Sequence, residues 1–119
     1  MNFLKWFLYY VVIKIRYNMG TIFNETICDF LNNYKPENRM FTSDDEIDLI
    51  SETLNLPELD FDERSKIRNE VVRYYTELME NEIIYNENGE YKGRTDKYWD
   101  LMLSMQSVTT VIDYYKYQK

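Results

Sequence analysis

Apolar positions fall into blocks whose spacing changes along the chain. Between residues 62 and 80, Ile67, Val71, Tyr74 and Leu78 recur at steps of four, three and four, with Val72, Tyr75 and Met79 beside them. One broad side of a helix is therefore apolar. The opposite side carries Lys66, Glu70, Arg73 and Glu77 within helical reach of one another, and Asp60, Asp62 and Glu63 stand at the start, where the helix dipole favours acids. After Glu80 the repeat shortens. Ile83-Ile84-Tyr85 is a β-prone triplet, Asn88-Gly89 predicts a two-residue turn that tolerates positive φ, and Tyr91-Lys92 returns, giving a small hairpin.

Upstream, Thr21 is an expected N-cap for a helix through Ile22, Phe23, Ile27, Phe30 and Leu31, ending before Asn32-Asn33-Tyr34-Lys35-Pro36. Cys28 and Met40 read as core or near-core residues, and Arg39-Met40-Phe41-Thr42 as a short extended piece. Ser43 and Glu46 stand at capping-box spacing and predict a second helix from Asp44 to about Asn55. Its inward face is Ile47, Ile50 and Leu54, with Leu49 to one side, and Pro57 limits its extension. Residues 56–61 turn the corner into the long helix. Downstream, Thr95 and Asp96 open a helix over residues 95–119, in which Tyr98, Leu101, Met105, Val108, Ile112 and Tyr115 form a heptad-like seam. Trp99, Met102, Leu103, Val111 and Tyr114 add apolar area, more than one core needs. The β-prone run 108–112 leaves a break open, although the flanking period favours helix. This helix either crosses its own domain or pairs with a twin in a C2 homodimer, the seam being the expected dimer interface.

Residues 1–18 differ in kind. Their apolar run from Phe3 to Ile15 is about 13 residues with Lys5 and Lys14 inside it, short of the roughly 20 needed to span a bilayer. No small-residue cleavage site follows, which argues against a secretory signal and for a cytoplasmic protein. Three readings stay open: an amphipathic helix with Phe3, Trp6, Tyr10, Ile13 and Tyr17 on one side, a strand alternating through residues 13–17, or a non-native extension ahead of a start at Met19-Gly20. The helix would also allow contact with a membrane surface, the plainer alternative being that it packs on its own protein or on a twin subunit.

Composition narrows the chemistry. At 119 residues, 45% hydrophobic and 17% aromatic, there is material for one domain with a modest core. The formal charge is −7, and residues 19–119 alone hold 11 basic against 21 acidic groups, a net of −10. Such a field repels bulk nucleic acid and confines any basic contact to a local patch. With no histidine, one cysteine and three glycines, the chain lacks a Ser-His or Cys-His dyad, a Cys/His zinc site, a P-loop and a GxGxxG turn. Asp44-Asp45-Glu46-Asp48 and Asp60-Asp62-Glu63 lack EF-hand spacing and read as helix starts. No catalytic residue, metal site or cofactor is expected, and the chain does not read as an enzyme.

The order helix, extended piece, helix, turn, helix, hairpin over residues 21–94 resembles the winged helix-turn-helix family. The resemblance is carried by Phe41-Thr42-Ser43 leading into Glu46-Ile47 with Leu49-Ile50, by residues 64–68 (RSKIR), and by the passage from Glu77 through Asn88-Gly89 to Tyr91. It implies a winged-helix domain, placed at 19–94; with the patterns on either side the expected fold is mainly α with a small β-hairpin, an amphipathic extension at 1–18 and a C-terminal helix at 95–119. The resemblance also implies DNA binding, with the third helix in the major groove and the wing on the backbone. The implied contacts are Arg64, Ser65, Lys66, Arg68, Asn69 and Arg73 on the helix, with Lys92 and Arg94 at the wing. The acidic balance supports a different expectation: a protein-binding module for a basic partner, or a nucleic-acid mimic of the viral counter-defence kind. A third reading of the basic residues is a solvated ladder of ion pairs, Lys66 with Glu70 and Arg73 with Glu77.

Overall fold

The computed structural model describes Leu8 and residues 22–118, so the readings of residues 1–18 and the Thr21 cap lie outside the described part. The described residues form four helices and one two-stranded antiparallel sheet. Helix α1 (Glu25–Asn33) starts at Asn24, whose side-chain oxygen accepts a hydrogen bond from Ile27 N at 3.1 Å. Residues 22–24 are not helical, so the helix begins after Phe23 rather than through Ile22 and Phe23, at a cap whose amide oxygen supplies the acceptor an N-cap requires. Helix α2 (Asp44–Thr53) opens with the expected Ser43/Glu46 capping box. It ends two residues early, since Asn55 turns to the left-handed φ of 57° ahead of a 3₁₀ turn at Leu56–Glu58, a conformation Asn tolerates better than most residues. Helix α3 (Phe61–Glu80) has a second capping box, Asp60 with Glu63, so the acids at both helix starts satisfy backbone donors.

Strands β1 (Ile83–Tyr85) and β2 (Tyr91–Arg94) form the hairpin. The connection is not the expected two-residue turn. Asn86 N donates to Glu90 O, Gly89 N donates to Asn86 O, and only Gly89 takes a positive φ, 80°. The ladder thus reaches Asn86 and Glu90, and three residues make the loop, with glycine in the left-handed place such loops demand. The side chain of Asn86 accepts from the backbone of Asn88 and Glu90, which locks it. Helix α4 (Asp96–Gln118) runs unbroken through the β-prone stretch, where Thr109 Oγ1 turns back to donate to Met105 O at 2.8 Å. Arg39–Thr42 adds no strand. Met40, expected near the core, is 88% exposed: its amide donates to Asn38 Oδ1 in an Asx turn that turns the side chain outward.

The core lies where α3 packs along α4. Ile67, Val71, Tyr74, Tyr75 and Met79 of α3 are buried together with Val108, Val111 and Ile112 of α4; α1 adds Ile27, Cys28 and Leu31, α2 adds Ile50, and Phe23 before α1 and Leu54 after α2 join them. Two buried α3 tyrosines hold α1 by their hydroxyls: Tyr74 donates to Asn32 Oδ1, and Tyr75 donates to Leu31 O at 3.2 Å. Tyr34, just after α1, donates to Glu46 Oε2 on α2 at 2.6 Å, and Ser104 of α4 donates to Tyr34 O. The amphipathic pattern placed the apolar members of this core, but not Glu46, Ser51 and Ser104, which are buried polar residues with partners.

Two buried titratable groups make this packing measurable. Burial, reinforced by Asp29, Glu25 and Glu70, pushes the Cys28 thiol up to about 12. Ellman's reagent at pH 8 should therefore label native Cys28 about 100-fold or more slowly than the denatured chain. For Glu46, burial would raise the carboxyl, but hydrogen bonds from Tyr34, from the Ser43 and Glu37 amides and from the Ser43 hydroxyl together bring it below its ordinary value. Its stabilisation is full above the ordinary glutamate range and is lost as pH falls through the lowered value. Glu46→Gln should cost about 1–2 kcal/mol at neutral pH and flatten the acid limb of stability, read by urea denaturation from neutral to acidic pH.

Candidate interaction surface

The eight residues implied as DNA contacts do not form one basic face. Arg64 is only 6% exposed. Its Nη1 donates to Leu59 O at 2.6 Å, and its buried Nε has no hydrogen-bond partner. Arg68 Nε donates to Asp113 Oδ1 of α4 at 2.7 Å, and Arg73 Nε to Glu77 Oε1 at 3.4 Å, the expected one-turn pair. Lys66 and Asn69 are exposed, and Ser65 is half-buried. Arg64, Ser65, Arg68 and Asn69 do come together, lining with Phe61, Ile112 and Asp113 a cleft of about 350 Å³ between α3 and α4. The hairpin follows the other end of α3, about 24 Å from Arg64 along the helix axis. Basic groups on α3 alternate with Asp62, Glu70, Glu77 and Glu80, so the helix presents a chequered field rather than a positive strip.

The described residues of the expected dimer seam face inward. Val108 and Ile112 are buried against α3, while Tyr98, Leu101 and Met105 are half-buried on the same core. The Tyr115 side chain lies outside the described part. Packing of α4 on its own domain covers much of this seam, while Trp99 and Tyr114 of the same helix stay about half exposed.

A surface that the sequence reading did not single out lies at the junction of β2 and α4. Thr95 caps α4, accepting from Tyr98 N through its hydroxyl at 3.3 Å. Thr95 also ties the helix to the hairpin, its amide donating to Glu82 O and its hydroxyl to Glu82 Oε1, both at 3.0 Å. In β2, Ile84 faces Gly93 and Tyr85 faces Tyr91, which leaves Lys92 as the extra residue of a bulge. Gly93 absorbs that bulge at a φ of 141°. Tyr91 and Arg94 are thereby set beside Tyr98 and Trp99. The Arg94 guanidinium carbon lies 4.8 Å from the centroid of Tyr98 and 5.5 Å from those of Tyr91 and Trp99. Tyr98 and Trp99 meet edge to face, with centroids 5.2 Å apart and planes at 80°. Tyr91 and Trp99 are about half exposed, as are Ile84 and Tyr85 on β1. The sequence carried a faint signal for this group in the spacing 91, 94, 98, 99, but helical periodicity assigns Trp99 to a helix face and strand pattern assigns Tyr91 to a hairpin, so nothing local joins them.

Among the described residues, no group of three or more His, Cys, Asp or Glu side chains is placed to hold a metal ion. The chemistry on offer is aromatic, acidic and cationic contact. Thr95→Ala, which removes both the cap and a link to Glu82, should cost about 1 kcal/mol in thermal or chemical denaturation and broaden the Tyr91 and Trp99 NMR signals while leaving the α3 core signals in place. No protein-family model, curated protein sequence or solved structure matches the chain, so its own geometry must carry the functional reading.

Proposed function

We propose that the chain is an acidic protein-binding module that engages a basic partner at its hairpin end. The observation that carries this reading is that four arginines already have contacts within the chain: Arg64 is buried, Arg68 is paired with Asp113, Arg73 with Glu77, and Arg94 stands among rings. The acids outnumber the cations left exposed, such as Lys66, Lys92 and Lys97, and exposed aromatics gather at one end. Between residues 82 and 100 five acids (Glu82, Glu87, Glu90, Asp96, Asp100) stand against Lys92, Arg94 and Lys97. Tyrosine, tryptophan and arginine are the residues that dominate protein interfaces, and an acidic rim steers and orients a basic partner.

Duplex binding is the competing reading, supported by the order of three helices and a hairpin. It asks a net charge of −10 over residues 19–119 to approach phosphate with most of its arginines already engaged. Fluorescence anisotropy separates the two. A labelled duplex at about 50 mM salt should bind more weakly than about 10⁻⁴ M, the weak end of ordinary non-specific binding. A labelled lysine-rich peptide should bind, lose affinity with added salt, and lose roughly 30-fold on Trp99→Ala. Saturable duplex binding that falls steeply with salt and disappears in Arg68→Glu would replace this reading with the regulator.

A further inference from the structure

We propose that Tyr91, Tyr98 and Trp99 form a cation cage that the chain's own Arg94 occupies in the free protein, and that a cationic side chain of a basic peptide enters it by displacing Arg94. This rests on the protein-binding reading and names the subsite within it.

The walls have the geometry that a cation needs. Tyr98 and Trp99 stand nearly perpendicular, making a corner, and Tyr91 closes a third side from β2. All three centroids lie within 5.5 Å of the guanidinium carbon, inside the roughly 6 Å reach of cation–π attraction. The walls are fixed by backbone rather than by their occupant: the Thr95 cap holds the first turn of α4, and the Glu82 link holds that turn to the hairpin.

The occupant is held loosely. In a chain with 21 carboxylates, Arg94 makes no ion pair among the described residues, and its contacts are with rings alone. Arg94 is itself exposed, and the cage opens to solvent along Tyr91 and Trp99. Exchange of one cation for another conserves the ring contacts. Glu90, Asp96 and Asp100, exposed neighbours of the wall residues, favour an incoming segment that brings further positive charge. The released Arg94 then becomes free to pair with a carboxylate of either partner. A neutral or acidic segment gains neither term, so the cage selects for basic peptides.

The test uses the whole chain labelled with ¹⁵N, following the Trp99 indole N–H and the Arg94 Nε–H signals. Arg94→Ala, or Arg94→Gln should the alanine variant fold poorly, should bind tetramethylammonium about tenfold or more tightly than the wild type, with the change centred on Trp99. In the wild type, a lysine-rich peptide should move Arg94 Nε–H from its ring-shielded position toward that of the unfolded chain as Trp99 shifts. A trimethyl-lysine version should do so at lower concentration. Neither vacated variant responding to tetramethylammonium would overturn the cage, as would peptide binding that leaves Arg94 in place. A peptide that fails to bind the wild type, while the vacated variants take tetramethylammonium, overturns the partner reading and leaves the cage standing.

Discussion

A twenty-residue helix with a broad apolar side must cover that side, and here α4 is the cover. The seam between α3 and α4, Ile67, Val71 and Tyr74–Tyr75 against Val108, Val111 and Ile112, is the contact on which the other elements are assembled. Its burial is the main favourable term available to so small a domain. The same contact decides the fate of the basic residues on α3. Bringing α4 alongside sets Asp113 against Arg68, and Arg64 lies buried at the edge of the cleft between the helices. Two of the arginines on α3, Arg64 and Arg68, are thereby drawn into the joint between the helices, while Lys66 and Arg73 stay exposed.

Polar contacts then fix what apolar packing leaves free. Hydroxyls of Tyr34, Tyr74 and Tyr75 reach across helices to specific acceptors, so α1 cannot slide along α3 or α2 without stranding a buried donor. Glu46 takes part twice, closing the capping box of its own helix and accepting from Tyr34. Burial of such a carboxylate is tolerated because several donors converge on it.

The hairpin end follows a different logic. There the side chains are anchored by backbone devices, a helix cap, a bulge and a glycine, and the aromatic surface stays open. Exposed cation–π contacts of this kind add only about 0.5–1 kcal/mol, so the ring cluster contributes little to the stability of the fold. The hairpin end thus differs from the helical core in placing a cation among half-exposed rings, with acidic groups facing solvent beside it.

Much of this was written in the order of residues. The period of Ile67, Val71 and Tyr74, the Ser43/Glu46 capping box, the β-prone Ile83–Tyr85 and the Thr95 start of α4 are local properties, set within a few residues, and they determined the helices and the hairpin. Local rules also overreached: the Asn88-Gly89 pair suggested a two-residue turn where Asn86 closes a three-residue loop, and the hydrophobicity of Met40 said nothing of the Asx turn that exposes it. What only the tertiary structure decided was which partners the side chains meet. Arg68 finds an acid 45 positions away, the α4 seam turns toward its own domain, and Tyr91, Arg94, Tyr98 and Trp99 converge from a strand and a helix. Periodicity determines which side of an element is buried, but the identity of what buries it depends on how helices pack in three dimensions, and no spacing along a single chain encodes that directly.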